Sequence, residues 1–147
     1  MYNILVSAHS GLRYIVLLLL VVAIINALAN LKSNQYVKKD KMINLFAMIF
    51  LHIQLVIGLI LYFISPKVQF VKGMMADATL RFFDVEHISL MLLAIILITL
   101  GRKKAEKREI PSIKHKLILR YYLLGLILIF IAIPWPFTHP TLNTGWF

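Results

Sequence analysis

Four apolar runs, each long enough to cross a lipid bilayer, constrain this chain more than any other feature of its sequence. We predict membrane-spanning helices at about residues 4–29, 42–64, 83–100 and 117–133. About 20 apolar residues in a helix cross the hydrocarbon layer, where only helices and closed barrels satisfy their own backbone hydrogen bonds. Of the 147 residues, 61% are hydrophobic. The chain is therefore predicted to be a single all-α integral membrane domain.

The positive charges are concentrated in two of the connections between these runs. The formal net charge is +10, and 12 of the 16 lysines and arginines lie in or next to the first and third connections. Cytoplasmic loops carry such an excess, so we expect both termini on the outer, periplasmic side of a bacterial inner membrane. A nucleic-acid-binding surface is not expected, because the charges flank apolar runs instead of forming a stripe on a soluble fold.

The lengths of the connections predict how the helices are arranged. The first and third connections are short, which is typical of antiparallel neighbours, so we expect an up-down-up-down four-helix bundle. The second connection, residues 67–82, is longer and mixes charged and aromatic residues with Met74 and Met75. We expect it to form a short amphipathic segment in the membrane interface.

Five ionisable residues in the apolar runs are candidate functional residues: His9, Arg13, His52, Glu86 and His87. Such groups are costly inside a membrane unless they are paired, ligated or hydrated, and therefore indicate function. At about 1.5 Å of rise per residue, His9 lies roughly 9 Å, His87 roughly 6 Å and His52 roughly 18 Å from the outer surface. His9 and His87 are thus expected at one level, on the first and third helices.

Two histidines at one level on different helices are suited to a b-type haem, because imidazole nitrogens approach the iron from opposite faces of the ring. The first and third helices of an up-down bundle lie diagonally across its core, which leaves room for the macrocycle. We predict one haem b per chain, with His9 and His87 as axial ligands and Arg13 beside a propionate. Because the chain has no cysteine, covalent c-type haem, thiolate metal sites and iron–sulfur clusters are excluded.

The remaining polar residues receive supporting roles. Glu86 and Asp84 are expected to accept a hydrogen bond from an imidazole or from an arginine, which would orient the third-helix histidine. His52 is expected to be a core residue or an alternate ligand. His115 is expected to be solvated in the basic loop, and His139 is expected to be solvated or interfacial in the outer tail.

Other functions fit the same residues. A histidine in a membrane bundle often forms a hydrogen bond between helices, which would suit a haem-free accessory or assembly subunit of a larger membrane complex. His52, Glu86 and His87 could instead handle a metal ion or relay protons. A transporter of this kind usually has an internal repeat, and none is evident in the sequence.

Three segments carry a resemblance to known proteins: His9-Ser-Gly-Leu-Arg-Tyr, His52-Ile-Gln-Leu-Val-Ile-Gly and Glu86-His-Ile-Ser-Leu-Met. Together they resemble small bacterial four-helix membrane proteins described as cytochrome b-like and, more distantly, one half of haem A synthase. The resemblance implies His9 and His87 as haem ligands. In haem A synthase the arginine is adjacent to the histidine, whereas Arg13 stands four residues after His9.

Two imidazole ligands would leave the iron no open position for a substrate. We therefore expect a one-electron carrier rather than a stand-alone enzyme. The expected partners are the lipid bilayer and a quinol or a membrane redox protein, and the chain could form a homo- or hetero-oligomer.

Overall fold

The computed structural model describes residues 1–138 and 142, and this part of the chain is all-helical. Its four long helices are α1 (Tyr2–Ala29), α2 (Lys38–Ile64), α3 (Ala78–Glu106) and α4 (Pro111–Ala132). Each is long and apolar enough to cross a membrane. The predicted all-α class and the predicted number of potential spans are confirmed.

Three of the helices extend beyond the predicted spans at their polar ends. α2 begins four residues earlier than predicted, at Lys38. α3 covers Ala78–Glu106 instead of residues 83–100, and α4 begins at Pro111 instead of residue 117. Lysine and arginine are good helix formers, so backbone hydrogen bonding continues through charged turns that hydropathy assigns to loops.

The second connection contains less interfacial structure than predicted. A single 3₁₀ turn, Met74–Ala76, follows Gly73, whose φ is 89°. Asp77 then begins α3 by accepting hydrogen bonds from the N–H groups of Thr79 and Leu80, as an N-cap residue does. Most of the segment predicted to lie in the interface is therefore a loop, and its end is the first turn of α3.

The helices pack in the order in which they follow one another in the chain. α1 packs against α2 and α4, and α3 packs against α4 and α2. α1 and α3 are thus the diagonal pair, as in an up-down-up-down bundle. The centre of the bundle contains fully buried Leu20, Ile98 and Ile118 between small side chains such as Ala23 and Ala47.

Glycines allow α3 and α4 to approach closely. A Cβ atom on Gly101 would overlap the Cβ atom of Tyr121, and one on Gly125 would lie 2.5 Å from Cγ1 of Ile98. Small residues at helix interfaces permit this packing in membranes, where lipid is as apolar as the side chains and the hydrophobic effect does not drive helices together.

A polar network closes the end of the bundle that carries the basic connections, hereafter the basic end. The Tyr36 hydroxyl donates to Glu106 Oε1 (3.1 Å) and accepts from Asn44 Nδ2 (3.0 Å). Tyr122 donates to the Asn44 carbonyl at 2.7 Å. Burial raises the pKa of Tyr36 to about 12, so this hydroxyl keeps its proton at physiological pH.

His115 belongs to this network, and the prediction that it is solvated is wrong. Its side chain is fully buried. Its Nε2 donates to the Gln35 carbonyl at 3.2 Å, and its ring centroid lies 5.1 Å from that of Tyr36. Because α4 begins at Pro111, His115 occupies an inward-facing position in the first turns of the helix rather than a position in the loop.

We expect Gly101→Ala to lower the stability of the purified protein by about 1–3 kcal/mol, because the new methyl group separates α3 from α4. Thermal unfolding in detergent, followed by circular dichroism, would measure the loss. Gly11→Ala is the matched control, since a Cβ atom at Gly11 meets nothing within 4 Å. Equal melting temperatures for the two variants would contradict close packing at Gly101.

Candidate functional site

A cavity of about 360 Å³ lies between α1, α2 and α3 at the end opposite the basic end. Its volume falls in the range of small-molecule sites. Most of its wall is aliphatic, and at its outer end, hereafter the mouth, lie Tyr2, Ser65 and Lys67. The polar residues deeper in its wall are His9, Ser10, Arg13, Gln54, Tyr62 and His87. Three of the five predicted site residues, His9, Arg13 and His87, therefore line one cavity.

His9 is held between α1 and α2 by two contacts. The Gln54 side-chain amide donates to the His9 carbonyl at 2.7 Å. The imidazole lies over Gly58, where a Cβ atom would be only 3.0 Å from His9 Cε1. Within residues 1–138 and 142, the buried Nδ1 atom of His9 has no hydrogen-bond partner. This nitrogen lies near α2, 3.6 Å from the position that a Cβ atom on Gly58 would occupy.

His87 is oriented by the end of α4. Its Nδ1 lies 2.7 Å from the carbonyl oxygen of Ala132. A carbonyl only accepts, so Nδ1 carries the proton and Nε2 keeps its lone pair. Imidazoles that bind metals usually have this arrangement, in which the second nitrogen donates to a carbonyl or a carboxylate.

Two prolines explain why the Ala132 carbonyl is available. In a continuing helix it would accept from the N–H of residue 136, and the Phe130 carbonyl would accept from residue 134. Both positions are proline, which has no N–H. The Trp135 indole donates to the Phe130 carbonyl at 2.9 Å, and His87 donates to Ala132. The Pro-Trp-Pro motif thus supplies the acceptor that positions His87.

The two imidazoles are close neighbours in an edge-to-face arrangement. The ring centroids of His9 and His87 are 6.5 Å apart, and the ring planes are inclined at 69°. The residues come from the diagonal helices α1 and α3. The structure thus brings together the two histidines that the sequence placed at one level.

A π-helical turn, Phe82–Glu86, immediately precedes His87 in α3. Such turns insert one residue into an α-helix and are frequent at functional sites. The Tyr62 hydroxyl donates to the Asp84 carbonyl at 2.7 Å, and the buried Asp84 carboxylate accepts from the backbone N–H of Gln69 at 3.0 Å. The turn that sets the direction of His87 is thereby fixed to α2 and to the loop after it.

Arg13 lies in the cavity wall and contacts aromatic residues. Its Nη2 donates to the Tyr14 hydroxyl at 3.1 Å. Its Cζ atom is 4.8 Å from the centroid of the Tyr14 ring and 5.5 Å from that of Trp135, distances at which a cation is attracted to a ring. Trp135, which follows the end of α4, is buried against the bundle.

Glu86 does not contact the imidazole beside it. It accepts from Nε of Arg81 at 2.7 Å, and both side chains are partly exposed. Glu86 was predicted to accept from an imidazole or from an arginine, and in the structure its partner is an arginine. The acceptor for His87 is instead Ala132, because successive side chains on a helix point about 100° apart.

His52 lies outside the cavity. Its Nδ1 is 2.8 Å from the Met48 carbonyl on the same helix, and its Nε2 is 3.5 Å from the Thr99 hydroxyl on α3. His52 is partly exposed, and this geometry does not bring it to His9 or His87. His139 lies outside the described residues.

Several cavity residues had weak sequence signals. Gln54 is a polar residue in an apolar run, four residues before Gly58, and this spacing is the signal that could have assigned both to one face of α2. Tyr62 and Lys67 had no distinguishing pattern. Ala132 acts through its backbone, which a side-chain pattern does not reveal.

Within the described part of the chain, no three histidine, aspartate or glutamate side chains are grouped so that they could hold a metal ion. The cavity wall contains two imidazoles, those of His9 and His87. Comparisons of the chain with protein-family models, with curated proteins and with solved structures found no match.

We expect Gly58→Val to move the His9 ring, because a Cβ atom at this position already lies 3.0 Å from His9 Cε1. In ¹⁵N-histidine-labelled protein in micelles, the imidazole resonances of His9 should shift while those of His52 stay in place. Gly11→Ala serves as the control on the same helix as His9. An unchanged His9 signal in Gly58→Val would contradict the contact.

Proposed function

We propose that this chain is a membrane-embedded b-type cytochrome that binds one haem b between His9 and His87. The observation that carries the proposal is the pair of neighbouring imidazoles in a mainly aliphatic cavity, with ring centroids 6.5 Å apart. Two imidazoles that bind one metal ion from opposite sides, each at about 2 Å, have centroids about 6 Å apart. The observed separation is suited to axial ligands of one iron.

The residues of the cavity have distinct roles in this proposal. His87 presents Nε2, and its bond to the Ala132 carbonyl holds the ring and increases its basicity. Gly58 leaves the space that the His9 ring occupies. Arg13 supplies positive charge within the wall of the cavity. The aliphatic walls exclude water, and a bound haem would supply a reversible one-electron couple.

The proposed setting is the inner membrane of a bacterium. The basic end would face the cytoplasm, as its excess of lysine and arginine favours, and the cavity would lie near the periplasmic face. With both axial positions filled by imidazole, the protein would transfer single electrons from a quinol or a membrane dehydrogenase to an outer acceptor. The polar network at the basic end separates the cavity from the cytoplasmic side.

The absorption spectrum of the purified protein tests the proposal. We expect a sharp Soret band and, after reduction with dithionite, resolved α and β bands, with one haem per chain by pyridine haemochrome assay. His9→Ala and His87→Ala should each abolish the low-spin spectrum, because one axial ligand is lost. His52→Ala should keep it, since His52 lies outside the cavity. A colourless wild-type protein, expressed with sufficient haem, would refute the cytochrome proposal.

A second candidate function, a haem-free subunit of a larger membrane complex, is favoured by one observation. His87 links α3 to α4 through Ala132, and His52 approaches Thr99 of α3 from α2, as polar residues between membrane helices do. In that case the histidine variants would lose stability without any change in a visible spectrum. Haem content measured on the same samples separates the two functions.

A further inference from the structure

Lys67, at the mouth of the cavity, is a cation whose charge is not neutralised by a described residue. Its side chain is exposed, and its Nζ lies 5.1 Å from the centroid of the Phe83 ring, which also lines the cavity. Within residues 1–138 and 142, the ion pairs are Lys41 with Glu106 and Arg81 with Glu86. Lys67 is thus available to an anion that reaches the mouth.

The position of Lys67 is set by the end of α2. Ser65 follows the last residue of the helix, and its hydroxyl oxygen accepts from the N–H of Lys67 at 3.2 Å. The same hydroxyl lies 3.1 Å from the Tyr2 hydroxyl of α1. Two hydroxyl groups and an ammonium group are therefore collected at the mouth, and all three groups can donate to a carboxylate.

The opposite end of the cavity is apolar. Val16, Leu51 and Ile95 form its floor and are buried in the hydrophobic core. Burying a carboxylate among such residues without a partner is strongly unfavourable. A ligand with one acidic edge is therefore more stable with that edge toward the mouth.

Arg13 is the other cation of the cavity wall, and its surroundings differ. Its guanidinium already donates to the Tyr14 hydroxyl and lies over the rings of Tyr14 and Trp135. Moving it to a carboxylate at the mouth would break these contacts. The ammonium of Lys67 can reach the mouth while keeping its water-exposed position.

We propose that Lys67 binds the carboxylate edge of the haem and thereby sets the orientation of the haem, with its acid edge at the mouth. This assignment rests on the proposed function. Tyr2 and Ser65 complete the anion-binding group through their hydroxyls. Arg13 compensates charge from within the wall rather than determining the orientation.

The rate of haem loss tests this assignment. Full-length protein in detergent is loaded with haem b or with its dimethyl ester, which lacks the acidic groups, and loss is followed after addition of excess haem-scavenging apoglobin. We expect Lys67→Met to lose haem b about three- to tenfold faster than wild type. Lys67→Arg and Lys72→Met should match wild type, since Lys72 is an exposed lysine of the same loop that does not line the cavity.

The ester and the spectrum make the result specific. With the dimethyl ester, all four proteins should lose the ligand at one rate, and the α band should stay in place because both imidazoles are intact. Equal rates for wild type and Lys67→Met with haem b would overturn the assignment while leaving the cytochrome proposal standing. The assignment would also be overturned if Arg13→Met, and not Lys67→Met, made haem b and its dimethyl ester dissociate at the same rate. A wild-type protein that takes up neither ligand would refute both proposals.

Discussion

The hydrogen bond between His87 and the Ala132 carbonyl joins α3 to the end of α4 and orients a histidine of the candidate site. Pro136 cannot donate to this carbonyl, so a helix end that would otherwise require water is satisfied by an imidazole from α3. The bond joins the two helices beside the cavity, fixes the protonated nitrogen of the ring and leaves the other nitrogen free to bind. The orientation of His87 therefore follows from where α4 stops.

The two ends of the bundle are built differently. At the basic end, tyrosine, asparagine and histidine side chains from the helices and the first loop form a hydrogen-bonded network. Glycines also allow α3 and α4 to approach closely. At the other end the helices enclose a cavity with an aliphatic wall and polar groups at its mouth. The two ends therefore differ in packing, and the cavity lies at the end away from the basic connections.

Part of the candidate site follows from simple geometry. The depth of a residue in a membrane helix depends only on its distance along the chain from the helix end, so counting residues brought His9 and His87 to one level, and their rings are neighbours in the structure. The same count separated His52 from the pair. The surroundings of Glu86 and His115 did not follow, because they depend on the rotation of α3 about its axis and on where α4 begins.

The sequence by itself determined that the chain is all-helical, that it has four helices long enough to span a membrane, and which histidines share a level. Only the tertiary structure decided that His87 binds Ala132, that Arg13 lies against Tyr14 and Trp135, and that His115 is buried. The physical reason is rotation about the helix axis. A helix that is apolar all round has no polar stripe to show which face points inward, so packing between helices makes that choice.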